Sequence, residues 1–90
     1  MNIVQTPTFS KQVKKLHTNQ KDDLDSAITA IVNDVTIGDL KKGDLSGIRV
    51  YKFKMVKQLT LLAYEFYEGE LQLILLALGT HENFYRDLKK

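Results

Sequence analysis

The sequence predicts an α+β fold: an N-terminal helical hairpin packed on a small antiparallel β-sheet, followed by a short C-terminal helix. Three observations lead there. Apolar residues recur at helical spacing as far as Val35, and from Leu45 onward the period shortens to two. The later apolar runs are joined by connections as short as Val56-Lys57-Gln58 and Tyr67-Glu68-Gly69, which require antiparallel neighbours. Ninety residues allow one domain, 1–90, with one core. A chain of this size buries only about 60–65% of its unfolded surface, so a thin margin of stability is expected.

Residues 2–5 suit a short strand. Thr6-Pro7-Thr8 signals a helix start, with a hydroxyl cap and a proline whose φ is already helical. Phe9, Val13 and Leu16 then share one helical face. Thr18 and Asn19 restart the chain, and Asp22 and Asp23 suit the positive end of a second helix. Along it Leu24, Ala27, Ile28, Ile31, Val32 and Val35 repeat at helical spacing, so the two helices should lie back to back. His17, between them, reads as a dipole partner at the end of the first helix or as a surface residue.

Gly38 and Gly43 bracket a polar connection into a strand from Ile48 to Met55. Arg49, Tyr51, Phe53 and Met55 fall on one face of it, and Ile48, Val50, Lys52 and Lys54 on the other. Strands over Leu59–Phe66 and Glu70–Leu78 complete a meander. The last is apolar on both faces and should sit inside the sheet. Thr80 can cap a terminal helix, with His81 in its first turn and Tyr85 four residues later on the same side, while Phe84 and Leu88 face the core.

Composition bounds the chemistry. Cysteine is absent, so thiolate chemistry is excluded and a reducing cytoplasm is the natural setting. The longest apolar run falls short of the roughly 20 residues that cross a bilayer. His17 and His81 stand far apart in sequence, which argues against a metal centre, and no cofactor loop is present. Charge is polarised. Lys41, Lys42, Arg49, Lys52, Lys54 and Lys57 oppose only Asp44 in the segment 41–60, while 18–40 is strongly acidic. Such a domain can turn its basic side to a polyanion, although a solvated surface or a lysine-blocked sheet edge explains part of the pattern equally well.

Within that basic segment Lys52 and Lys54 stand roughly 7 Å apart on one strand face, near the spacing of successive phosphates. Arg49 can grip a phosphate with two donors, but reaches the same site only if the strand twists, bulges or ends near it. His81, held near a helix N-terminus, would tend to stay neutral and accept a proton near pH 7. Fixed cations with a histidine and a tyrosine meet the needs of metal-free RNA cleavage. A 2′-hydroxyl must lose a proton, the leaving 5′-oxygen must gain one, and charge on the phosphorane must be stabilised. Alternatively, His81 bonds a backbone carbonyl and Tyr85 packs at a rim.

The opening Thr6-Pro7-Thr8-Phe9-Ser10-Lys11, the segment Lys41-Lys42-Gly43-Asp44-Leu45-Ser46-Gly47-Ile48-Arg49-Val50-Tyr51-Lys52-Phe53 and the closing Ala77-Leu78-Gly79-Thr80-His81-Glu82-Asn83-Phe84-Tyr85-Arg86-Asp87-Leu88 carry a resemblance. Together they resemble the RelE/ParE superfamily of type II toxin–antitoxin toxins, more the RelE-type RNases with a YafQ-like C-terminus than the ParE-type gyrase poisons. The resemblance implies a ribosome-dependent mRNA interferase that cuts the A-site codon and needs no metal or other cofactor. It implies a cognate antitoxin that covers the site, and a complex that binds operator DNA through the antitoxin. His81 matches a family histidine after the last strand, Tyr85 a C-terminal aromatic, and Lys52 and Lys54 the basic strand positions. Relatives often add an arginine in the strand matching Leu59–Phe66, for which Lys57 is the nearest substitute. The resemblance thus implies catalytic roles for His81, Tyr85, Lys52, Lys54 and Arg49, and RNA contacts for Lys41, Lys42, Lys57 and Arg86. His81 competes with Lys52 and Lys54 for the role of general base. A gyrase inhibitor without catalysis is the alternative.

Overall fold

The computed structural model describes residues 1–80 together with Phe84, Tyr85 and Leu88. Strand β1 (Asn2–Gln5) leads into α1 (Pro7–Lys14) and α2 (Thr18–Asn33). A two-residue strand β2 (Asp39–Leu40) and a single 3-10 turn (Gly43–Leu45) then precede β3 (Arg49–Met55), β4 (Gln58–Tyr67) and β5 (Gln72–Gly79). The five strands form one sheet in the order β1-β5-β4-β3-β2.

The expected meander is present, since β3–β4 and β4–β5 pair antiparallel. The sheet as a whole is nevertheless mixed, because β1 pairs parallel with β5. A parallel neighbour needs a long crossover, and here everything from α1 to β4 lies between the two strands. Flanked on both sides, β5 is an inner strand, as its two apolar faces require.

Helix α1 begins as its sequence dictates. Thr6 Oγ1 accepts from the Phe9 N–H at 3.1 Å, and Pro7 occupies the first turn. Such a cap contributes about 1 kcal/mol. The same hydroxyl donates to the Leu76 carbonyl at 2.7 Å. That carbonyl belongs to a β-bulge, for Ala63 pairs with Ala77 but Tyr64 with Leu75, leaving Leu76 extra on β5. The helix is thereby fastened to an irregularity in the strand it covers.

Helix α2 starts one residue earlier than its capping residues suggested. His17 is its N-cap, and the Gln20 side-chain oxygen accepts the His17 N–H at 2.8 Å. His17 therefore opens the second helix rather than closing the first. Asp23 lies beyond the first turn, and its carboxylate accepts the Val56 N–H at 2.7 Å, tying α2 to the β3–β4 turn. Both helices meet the sheet, α1 over β5 and α2 over β3.

Between helices and sheet lies the main core, built on Phe9, Leu24, Ile31, Leu62, Tyr64, Leu73 and Leu75. A smaller cluster of Val50, Leu61, Ala63, Ala77 and Phe84 covers the opposite sheet face, with Tyr85 and Leu88 against it. Phe84, Tyr85 and Leu88 are helical, and the Phe84 N–H donates to the Thr80 carbonyl at 3.2 Å. The remainder of the expected terminal helix, including His81 and Arg86, lies outside the described residues.

Candidate functional site

Strand pairing decides which basic side chains share a face. Val50 lies opposite Ala63, Lys52 opposite Leu61 and Lys54 opposite Leu59. Leu61 and Ala63 belong to the cluster that holds Phe84 and Tyr85. Lys52 and Lys54 therefore project from the sheet face on which Tyr85 packs, away from α1 and α2. Both lysines are exposed, whereas Tyr85 is half-buried. Lys54 also lines a shallow cleft of about 180 Å³ at the outer edge of β3, with Asp23, Ser26, Tyr51 and Phe53.

Tyr85 is held on two sides. Its ring meets Phe84 edge-on at 5.2 Å between centroids. The Lys41 ammonium stands 5.8 Å from its centroid, within cation–π range. Lys41 reaches that point because its backbone N–H donates to the Ile48 carbonyl at 2.9 Å, just past the end of β2. The sequence reading named Lys41 as an RNA contact but missed its pairing with Tyr85, and no local pattern signals a contact across so many residues. Lys42 is exposed beside it, and Lys57 is exposed at the tip of the β3–β4 turn.

Arg49 does not join this group. It pairs with Tyr64 on the helix side of the sheet, and β3 runs against β4 without interruption from Arg49 to Met55. Among the described residues the register shift lies on the other side of β4, so no bulge in this pairing brings Arg49 across. Its guanidinium Nη1 instead donates to the carbonyls of Gly38 at 2.9 Å and Thr36 at 3.3 Å. The Tyr64 hydroxyl donates to Val35 O at 2.6 Å and accepts from the Gly38 N–H at 3.0 Å. Arg49 and Tyr64 thus pin the 34–38 connection between α2 and β2. Burial raises the Tyr64 pKa above its ordinary value. Hydrogen bonds from the Thr36 hydroxyl and N–H, with nearby Arg49 adding a smaller effect, lower that of Asp34.

The face thus assembled offers two strand ammonium groups, a third over an aromatic ring, and a phenol. Fixed cations in a row can neutralise a polyanionic backbone, and an aromatic edge can take a base or steady a hydroxyl. At its far end the face turns acidic and apolar: a cleft of about 300 Å³ is lined by Ile48, Glu65, Leu76 and Leu88. Among the described residues no group of His, Cys, Asp or Glu can hold a metal ion. No described helix is long and apolar enough to cross a membrane.

Residues 3–89 match the model of a family described as ParE-like toxin of type II bacterial toxin–antitoxin system. The chain belongs to that family. As a ParE-like toxin it shares its architecture with solved relatives at low identity. The chain from the intact E. coli RelBE toxin–antitoxin complex superposes with a TM-score of 0.72 at 16% identity, covering 90% of this chain and 96% of that one. A YoeB/ParE toxin from Agrobacterium tumefaciens gives 0.72 at 14% identity, covering 90% and 99%. The conserved hypothetical protein HP0892 from Helicobacter pylori gives 0.54 at 18%, covering 90% and 94%. No curated protein matches the chain. At these identities the likeness is one of fold, the two-helix, five-stranded mixed sheet of a RelE-like toxin.

Proposed function

We propose that this toxin is a ribosome-dependent mRNA endoribonuclease, a single RelE-like domain acting on the codon in the ribosomal A site. The observation that carries the reading is the shared face of Lys52, Lys54 and Tyr85, with Lys41 over the aromatic ring. In the reaction the 2′-oxygen of one nucleotide bonds to the adjacent phosphorus and the P–O5′ bond breaks. The products are a 2′,3′-cyclic phosphate and a 5′-hydroxyl. One group takes the 2′-hydroxyl proton and another delivers a proton to the 5′-oxygen, while cations neutralise the phosphorane. Lys52 and Lys54 supply the cations, and Tyr85 positions the base or the 2′-hydroxyl. His81, just before the described Phe84 and Tyr85, is the candidate to move the proton, with Lys52 and Lys54 its competitors. Lys42, Lys57 and Arg86 extend the contact to flanking phosphates. Arg49 acts in folding rather than at the phosphate.

A cognate antitoxin is the expected partner, in keeping with the RelB complex of the E. coli relative. Operator binding by the joint complex, through the antitoxin, follows from the same reading. The test is brief expression of the wild type beside Tyr85→Phe and His81→Ala in growing bacteria, with mRNA ends mapped. New 5′ ends within codons, depleted in the variants, support the reading, whereas growth arrest with intact mRNA refutes it.

A second reading has its own support. The matching family is described by its ParE-like members, and Arg49, the only arginine among the candidate cations on the described strands, is turned away from the lysines. A toxin that inhibits DNA gyrase without catalysis would need no reactive phosphate grip. Induction of the DNA-damage response with cleaved chromosomes distinguishes it.

A further inference from the structure

The lysine face does not end at Tyr85. Past it lies the cleft of about 300 Å³ lined by Ile48, Glu65, Leu76 and Leu88, with Thr8 beside them. Strand register sets this cleft in line with the cations. Along β4 the outer face takes Leu59, Leu61, Ala63 and Glu65 in turn, and the first three lie opposite Lys54, Lys52 and Val50. Glu65 therefore stands two steps beyond the Lys52 position, roughly 14 Å, each step equal to the interval between the two lysines. Two further contacts tie the cleft to Tyr85. Leu88 and Tyr85 are helical residues three apart, and so neighbours on the helix surface. Ile48 accepts the backbone N–H of Lys41, whose ammonium stands over the Tyr85 ring. Among the described lining residues Glu65 alone is charged. Its carboxylate is held by Tyr67, whose hydroxyl donates to Oε2 at 3.1 Å. Half-buried Ile48, Leu76 and Leu88 supply the apolar surface around it.

We propose that this cleft receives one base of an RNA strand whose phosphates lie on the lysines, and that Glu65 selects guanine there. This selection presupposes the RNA reading above and adds a base preference to it. A phosphate is the wrong occupant, because a carboxylate repels it. Apolar side chains suit the flat face of a base, and single-stranded bases are read along their exposed edges. An ionised carboxylate can only accept hydrogen bonds, and each of its oxygens can accept more than one, so the Tyr67 contact leaves both in play. Guanine alone presents two neighbouring donors, a ring N–H and an amino group, which match the two oxygens with charge-assisted bonds. Adenine and cytosine set an amino group beside a bare ring nitrogen, and uracil flanks its N–H with two carbonyls. Each of these turns a lone pair toward the carboxylate, which costs more than the single bond it gains. Thr8, exposed at one end of the cleft, carries a hydroxyl that can donate to the guanine carbonyl.

The test titrates the protein with each of the four ribonucleoside 5′-monophosphates and follows the Ile48, Leu76 and Leu88 methyl signals by NMR. Guanosine monophosphate is expected to shift them and to bind at least about fivefold tighter than the other three, the worth of one good two-point base contact. Glu65→Gln turns one acceptor into a donor and also removes a negative charge, which strengthens all anions alike. The readout is therefore the ratio of guanosine to the other nucleotides, which should fall to about one. Tyr67→Phe keeps the charge but releases the carboxylate, and should lower the same ratio in part. Circular dichroism checks the fold of both variants. On ribosomes programmed with codons that differ by one base, the wild type should favour guanine at one codon position, and Glu65→Gln should lose that preference. Equal binding of all four nucleotides, methyl signals that none of them moves, or a guanine preference that survives both substitutions overturns the proposal. Each of these leaves the nuclease reading standing if A-site mRNA is still cut. If no nucleotide is bound and no mRNA is cut, both fail together.

Discussion

At the scale of single residues, the sharpest division is between two basic groups on one strand. Lys52 and Lys54 face outward beside Tyr85, whereas Arg49 is consumed in holding the 34–38 connection. If the lysines contact RNA phosphates, Lys52→Ala and Lys54→Ala should each flatten the slope of log affinity against log salt by about 0.7, the single-strand value per phosphate. A fluorescence titration of a short RNA at several salt concentrations reads this directly, and an unchanged slope would remove that lysine from the interface. Tyr64 makes the complementary case for structure. Tyr64→Phe leaves the Gly38 N–H and Val35 carbonyl without their partner and should cost about 1–3 kcal/mol in urea unfolding. Its raised folded-state pKa has a further consequence. Stability is whole below the unfolded value of 10.0 and falls as pH rises through the folded one. The phenylalanine variant should show a smaller alkaline loss above that pH. Gly38 adds a steric limit, since a Cβ there would lie 2.8 Å from the Tyr64 oxygen and 3.1 Å from the Val50 carbonyl carbon. Gly38→Ala should therefore lower the thermal midpoint, at a cost of about 1–3 kcal/mol for the overpacking.

At the scale of elements, the periods were legible where an element buries one face, as the two helices and β3 do, because the burial pattern is then the period; β4 and β5 bury both faces. The Thr6-Pro7 start was equally plain, because a cap is a local device. What escaped was non-local or too short. Residues 2–5 read as a strand, but four residues cannot announce a parallel partner at β5. Asp39–Leu40 is too brief for any period. The Leu76 bulge hides in an unbroken apolar run, and Asp23 looks like a helix-dipole residue until the Val56 N–H arrives above it. The turns carry conformations that no local pattern announced. The left-handed residue of the β4–β5 turn is Leu71, at φ 49°, rather than Gly69. The β3–β4 turn places Val56 at φ 49° and Lys57 at φ 71°, a conformation that suits Asn-Gly far better. Such strain is stored where other contacts impose it, and the Asp23 carboxylate is the contact here. The double substitution Val56→Asn and Lys57→Gly should raise unfolding free energy by about 1–2 kcal/mol in a chemical melt. An unchanged or lowered value would mean that the turn is relaxed as it stands.

At the scale of the whole molecule, the mixed sheet divides two tasks. Its helix side holds the main core and the Tyr64–Arg49 network, while its other side carries a thin apolar layer beneath exposed lysines and Tyr85. Alternation along β3 was enough to put Lys52 and Lys54 on one face and to warn that Arg49 projects from the other; which face the helices cover was not legible. The meeting of Lys41 with Tyr85 was not legible, because it depends on how the 41–48 loop returns to the sheet. His81 and Arg86 belong to the part of the reading carried by sequence alone. The central claim is that the lysine–tyrosine face cuts RNA. Its most direct test is purified toxin mixed with ribosomes programmed with a defined A-site codon, with the mRNA products resolved by length and end chemistry. A single cut within that codon, ending in a 2′,3′-cyclic phosphate and slowed at least a hundredfold in the Lys52→Ala, Lys54→Ala double variant, is the expected result. Intact mRNA at toxin concentrations that still stop growth would contradict it.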